Sequence, residues 1–205
     1  MDQPQIFQRT LDFVKKYYSD DDTHGFPHVM RVLKIAEVLS KSENCNSFIV
    51  KISTLLHDIG RLSEGINYDN NLFLNLKRDV NHAEISAQIA EKYLLQYINL
   101  NSPIISRIIH CIRAHSFSNK IEPQTIEAKI MSDADKLDAI GAIGIYRTIA
   151  YQVNHGTGVN GVLKHLQEKI LKLNEQLYLK KSKEMALEKK KIVDLFNSKL
   201  KEELL

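Results

Sequence analysis

Cysteine is nearly missing from this sequence. Its two cysteines, Cys45 and Cys111, cannot frame a disulfide scaffold, and neither belongs to a Cys-x-x-Cys pair of the metal-binding or redox kind. A reduced, cytoplasmic setting is the expectation. Long apolar runs are missing as well. No stretch approaches the roughly 18 consecutive apolar residues that a membrane helix needs. The opening MDQPQIFQRT has no basic region leading into an apolar one, so no secretory leader is expected. Neither sign of charge dominates: a net charge of +3 is too small to point to nucleic acid or an anionic membrane surface as the main partner. Glycine (8) and proline (4) are scarce among the 205 residues, which leaves few places where the chain is obliged to turn.

What is present is a three- and four-residue recurrence of apolar residues along almost the whole chain, the period of amphipathic helices, with no sustained strand alternation. The pattern predicts helices over Pro4 to Tyr18, His28 to Ser40 and Ser47 to Ile59, with Gly60 just past the end of the third. Residues 61–80 have no clear period, and loops of that length are often functional. Asn81 with Glu84 reads as a capping box, Ser102-Pro103 opens the next helix and Pro123 another, which runs through Leu137. A break falls at His155 to Gly161, before two last helices, about Val162 to Tyr178 and Ser182 to Leu200. A chain of this length suits one core. The expected fold is all-α: a compact single-domain helical bundle over residues 1–205, with no internal repeat.

Chemistry first shows at His57 and Asp58, neighbours in the last turn of an otherwise apolar helix. Adjacent helical residues point about 100° apart, but at a helix end both can converge on one ion beside the terminus. An imidazole nitrogen and a carboxylate oxygen together suit divalent transition metals. His28 is in register with Val32, Ile35 and Leu39 and should face the interior, where each ring nitrogen needs a partner; a metal is one, a backbone carbonyl another. In EAKIMSDADKLDAIGA, a helical wheel places Ala128, Met131, Asp135, Asp138 and Ala142 on one apolar face, with Ile126, Ile130, Ala134 and Leu137 on a second. Asp133 falls on the polar stripe near Lys129 and Lys136, where a surface ion-pair role suffices. Asp135 is the aspartate left among apolar neighbours, where a carboxylate is costly unless paired or bound to metal.

The strings HGFPHVMRVLKIAEVL, LLHDIGR, NHAEISAQIA, IIHCIRAHSFS and MSDADKLDAIGAIGIYR, in that order, resemble the HD-domain superfamily of metal-dependent phosphohydrolases; HSFS and DADKLDAIGAIG resemble more narrowly its YpgQ/YedJ-like subgroup. The resemblance spans nearly the whole chain. It implies a helical bundle of the HD type, with core motifs at about 20–150 and the C-terminal helices, about 160–203, packing on it. It also implies that His28, His57, Asp58 and Asp135 are the metal ligands, the last agreeing with the helical wheel. By the same resemblance His82 and His115 are positions for a second metal or for phosphate.

Bland alternatives stand beside these: an exposed residue in the first turn of a capped helix for His82, an ordinary helix-end histidine for His115, capping alone for Glu84. His110 and His115 diverge by about 140° on one helix, so at most one faces the site, and the HSFS motif favours His115. Arg31 and Arg61 could hold phosphate oxygens through the guanidinium fork, though a solvated surface arginine is the commoner fate. Lys136, Lys77 and Arg78 are weaker candidates of the same kind. The sequence departs from one pattern: HD enzymes acting on guanosine tetraphosphate, and the nucleotidase branch, carry acidic residues soon after the His-Asp pair, where this chain has Ile59-Gly60-Arg61. The lysine-rich stretch 180–191 lacks the aromatic residues that base stacking needs and reads as a solvated helix face.

The expectation is therefore a metal-dependent phosphohydrolase. A divalent ion (manganese first; magnesium, iron, cobalt, nickel or zinc otherwise) would activate a water and polarise phosphate. Asp58 would orient the water, and Arg61, His115 and Lys136 would neutralise phosphoryl charge. The resemblance implies a nucleoside triphosphate cleaved to monophosphate and pyrophosphate; the partners expected are this small phosphate substrate, no nucleic acid, no membrane, and at most a second copy of the chain. The rivals are a cyclic-nucleotide or general phosphodiesterase on the same site, and a helical regulatory module whose metal is structural.

Overall fold

The computed structural model describes residues 1–63, 72–77, 79–116 and 119–204. Most of the aperiodic loop, Arg78 and half of the HSFS motif thus lie outside the described residues. Among these the fold is all-α, with no strand, and no helix is long and apolar enough to cross a membrane. The chain forms two compact units, Met1–Ser132 and Asp133–Leu205.

The first unit contains α1 (Gln3–Tyr17), α2 (Phe26–Ser40), α3 (Ser47–Leu56), a 3-10 segment (Ile59–Ser63), α4 (His82–Tyr93), α5 (Ser102–His115) and the first half of α6 (Ile126–Asp138). Its centre is α3. Eight of its ten residues are buried, because α1, α2 and α5 all pack on it, and a helix apolar on every side has no other stable place. Asn46 caps it, accepting from the N–H groups of Phe48 and Ile49. Glu127, buried on α6, accepts from the Asn46 N–H at 2.8 Å and from Arg107 at 2.7 Å, which ties α3, α5 and α6 together.

Local signals placed the helices to within a few residues, and the differences have causes. The cap of α5 is Asn101, not Ser102: its side chain accepts from the Ile104 N–H at 3.1 Å. Helix α6 starts at Ile126 instead of Pro123, with the Thr125 hydroxyl capping the Ala128 N–H. Asn81 caps α4, but Glu84 does not return the bond; its carboxylate goes to Arg113 on α5.

The second unit holds the end of α6, then α7 (Ala142–Asn154), α8 (Gly158–Glu168), a 3-10 segment (Ile170–Gln176) and α9 (Lys180–Glu203). The helix expected over Val162 to Tyr178 divides after Glu168. Extended backbone at Leu177 and Leu179 turns the N–H groups of Tyr178 and Leu179 onto the Asp133 carboxylate, at 2.8 to 3.1 Å. Asp133 is thus fully buried, not a surface ion-pair partner. The wheel misplaced it because the strip that covers it comes from 45 residues further along the chain. On α9, Ser182, Ala186 and Val193 face inward, while Leu187, Ile192 and Leu195 share the exposed lysine-rich surface.

Candidate metal centre

The site grows from the end of α3. His57 caps that helix and still has helical backbone angles, after which the chain tightens into the 3-10 segment. Its Nδ1 lies 2.8 Å from the Thr54 carbonyl, and since a carbonyl only accepts, Nδ1 carries the proton. At the end of α5 the same device recurs, with His115 Nδ1 donating to the Ile112 carbonyl at 2.6 Å. In the neutral rings both Nε2 atoms therefore present lone pairs.

His28 arrives on the first turn of α2. The preceding turn is folded so tightly that a Cβ on Gly25 would stand 2.3 Å from the Ser19 carbonyl oxygen and 2.4 Å from that of Asp21. His82 arrives as the first residue of α4. Gly60 lets it come close: a Cβ there would lie 2.5 Å from the Ser86 nitrogen and 2.6 Å from the His82 carbonyl oxygen. The Gly60 N–H donates to Ser86 Oγ at 2.9 Å. The glycine expected as a helix stop is instead a point of close approach between the His-Asp turn and α4.

Asp58 is the hub. Its Oδ2 lies 3.8 Å from His28 Nε2 and 3.7 Å from His57 Nε2, and its Oδ1 lies 3.4 Å from His82 Nε2 and 3.6 Å from His115 Nε2. Two triads with metal-ligand spacing share it, His28–His57–Asp58 and Asp58–His82–His115. His28, His57, Asp58 and His115 are buried, and the His82 side chain is 15% exposed. Burial opposes ionisation of Asp58, but the Arg61 guanidinium, joined by the His57 and His115 rings in their protonated form, outweighs it and holds the carboxyl well below the usual carboxylate range. Its Oδ1, although buried, makes no hydrogen bond. Carboxylate oxygens and imidazole lone pairs facing one another across such distances repel unless a cation stands between them or a ring is protonated. The mixed nitrogen and oxygen donors fit a divalent transition metal.

Arg61 donates through Nε to Asp58 Oδ2 at 2.7 Å and through Nη2 to His82 Nε2 at 3.0 Å. Arg31 is held by Asp22, at 3.2 Å to the carboxylate and 2.7 Å to the carbonyl. His110 is half-buried and its Nε2 accepts from the Gln124 N–H at 3.1 Å. Lys77 is exposed. In the second unit, Asp135 is half-buried on α6. Lys136 is buried, its ammonium 3.2 Å from the Gln176 carbonyl and over the Tyr178 ring.

The HD-domain profile matches residues 25–140. The chain belongs to the HD-domain family. Over most of its length this HD-domain protein is similar to YpgQ of Bacillus subtilis, at 27% identity covering 94% of this chain and 90% of YpgQ. The crystal structure of an HD-superfamily hydrolase from Bacillus thuringiensis has 27% identity and a TM-score of 0.72, covering 99% of this chain and 98% of that one. That of B. subtilis YpgQ in complex with ADP superposes with a TM-score of 0.76 at 24% identity, covering 99% and 97%. Metal-dependent hydrolysis is the coarse activity that this family and this cluster together support.

One residue of the HD-domain site was not singled out in the sequence. Tyr18 follows the last turn of α1, and its buried phenol faces Asp58; burial, and then the Asp58 carboxylate, raise its pKa well above the ordinary value. Its signal was present: Ile6, Thr10 and Val14 recur every four residues along the buried face, and Tyr18 continues the series.

Proposed function

We propose that this HD-domain protein hydrolyses a phosphoanhydride bond of a nucleoside triphosphate, releasing the monophosphate and pyrophosphate. The observation that carries the reading is the convergence of four imidazoles on one buried, ionised carboxylate, with Arg61 at the margin, its side chain one-third exposed. The ADP held by the YpgQ structure supports a nucleotide as the substrate class. His28, His57 and Asp58 hold one divalent ion, manganese first among the choices, and the family resemblance assigns Asp135 as the fourth ligand. When bound, the ion supplies Lewis acidity to a phosphoryl oxygen and lowers the pKa of an attached water.

The chain's own residues do the rest. Asp58 stays ionised and orients the attacking water through Oδ1. Thr54 and Ile112 fix the rings of His57 and His115, so no reorganisation is needed as charge develops. Arg61 faces the phosphoryl oxygens; a guanidinium has five donors, enough to keep Asp58 and His82 and still meet an anion.

The test is a hydrolysis panel on protein stripped by chelation and reloaded with single ions, with products separated by chromatography. Turnover of nucleoside triphosphates to monophosphate and pyrophosphate, restored best by Mn²⁺, is expected. Turnover only of cyclic nucleotides or other phosphodiesters moves the reaction to those bonds. Bound metal with no turnover on any of them removes the enzymatic reading and leaves a metal-binding module.

A further inference from the structure

Arg61 sits on the boundary between the two triads. A guanidinium has donors only and stays protonated at every accessible pH. The His82 Nε2 that accepts from it at 3.0 Å therefore spends its single lone pair on Arg61, and this is the lone pair a metal would need. Asp58 Oδ2 also accepts from Arg61, at 2.7 Å, but a carboxylate oxygen has a second lone pair to offer. No guanidinium bond falls on an imidazole of the triad His28–His57–Asp58, whereas Asp58–His82–His115 loses one of its three donors to Arg61. The same positive charge stands against any dication approaching from the His82 side.

Building on the reading of this cluster as a metal centre, we propose that Arg61 fixes the ion count at one. Its guanidinium takes the place of a second cation at the Asp58–His82–His115 corner, so the fully buried triad loads and the other does not. A cation tethered to the chain neutralises Asp58 and orients His82 without needing metal from solution. It also leaves the positive edge of that corner facing any anionic substrate.

Counting ions tests this, with Mn²⁺ titrations followed by calorimetry and electron paramagnetic resonance on the wild-type chain and on Arg61→Ala, Arg61→Gln and Arg61→Lys. The wild-type chain should take one Mn²⁺ with a mononuclear spectrum. Arg61→Ala and Arg61→Gln should take a second at least tenfold more tightly than the wild type does, with the spin coupling of a pair bridged by Asp58. Arg61→Lys, which keeps the charge, should remain closer to one. Adding His82→Ala to Arg61→Ala should abolish the second ion. If Arg61→Ala misfolds, Arg61→Gln, which retains a donor without the charge, decides. Two ions in the wild-type chain, or one in both neutral variants with their melting transitions intact, overturns the proposal while the metal centre stands. No ion in any of them overturns the metal centre itself, and this proposal with it.

Discussion

Arg113 and Glu84 are joined by two parallel bonds, Nε to Oε2 at 2.8 Å and Nη2 to Oε1 at 2.9 Å, and they brace α5 against α4 two residues from each of His115 and His82. The pair works as a clamp behind the site, since both histidines reach Asp58 from these two helices. It is partly solvated, with side chains 37% and 26% exposed, so its direct worth to stability is modest, about 1 kcal/mol even with the two-bonded geometry.

Glu84→Gln should therefore shift the denaturation midpoint only slightly while changing how His82 and His115 meet their partners. The expected result is a larger loss in kcat than in stability, read by parallel kinetics and urea melts. A double-mutant cycle with Arg113→Gln should show the two losses coupled. Additive losses would mean that the brace does not act as a unit.

Substitutions at the two aspartates of the Ser-Asp-Ala-Asp segment should separate stability from metal binding. Asp133 is fully buried and receives the N–H groups of Tyr178 and Leu179; burial pushes its carboxyl up, and these bonds pull it partly back. Asp133→Ala would strand two backbone donors and should cost about 3 kcal/mol. Asp133→Asn, which keeps an acceptor oxygen, should cost less. Asp135→Asn should cost the metal-free fold less than Asp133→Ala does and lower Mn²⁺ affinity at least tenfold by calorimetry. The reverse pattern would transfer the ligand role to Asp133.

How much of this could be seen in advance follows from the range of the interactions. His57 with Asp58, and His28 in its apolar register, were legible because helix period and helix ends are local properties. The facing of His115 over His110 was legible too, from their angular separation and the motif around His115. Asp133 was not, because its partners lie on a strip 45 residues away whose extended backbone no local pattern announces. Gly60 serves a different purpose from the one its place in the sequence suggests. A glycine beyond an apolar helix reads as a stop, and only the position of α4, set by tertiary packing, shows that the missing Cβ is what matters. Glu84 fitted a capping signature, yet its carboxylate gains more from the Arg113 fork than from one backbone donor.

The pH dependence of folding gives the last test, centred on Asp58. Its folded-state carboxyl lies well below the ordinary value, because Arg61, joined by the His57 and His115 rings in their protonated form, outweighs the opposing effect of burial. The unfolded chain releases that proton near the model-peptide value of about 3.9. Between the two values the unfolded state binds more protons than the folded one, so stability rises with pH there. The contribution of Asp58 is fully present above the unfolded value and is lost as pH falls through the folded one. In chelated protein, denaturation midpoints measured between pH 2.5 and 7 should therefore fall on the acid side, and Asp58→Asn should flatten that limb. An amide at this position still offers one oxygen to Arg61, so the variant should fold, as circular dichroism would show, while binding Mn²⁺ far more weakly. An acid limb unchanged in Asp58→Asn would mean that the carboxylate does not carry the charge on which the whole cluster is arranged.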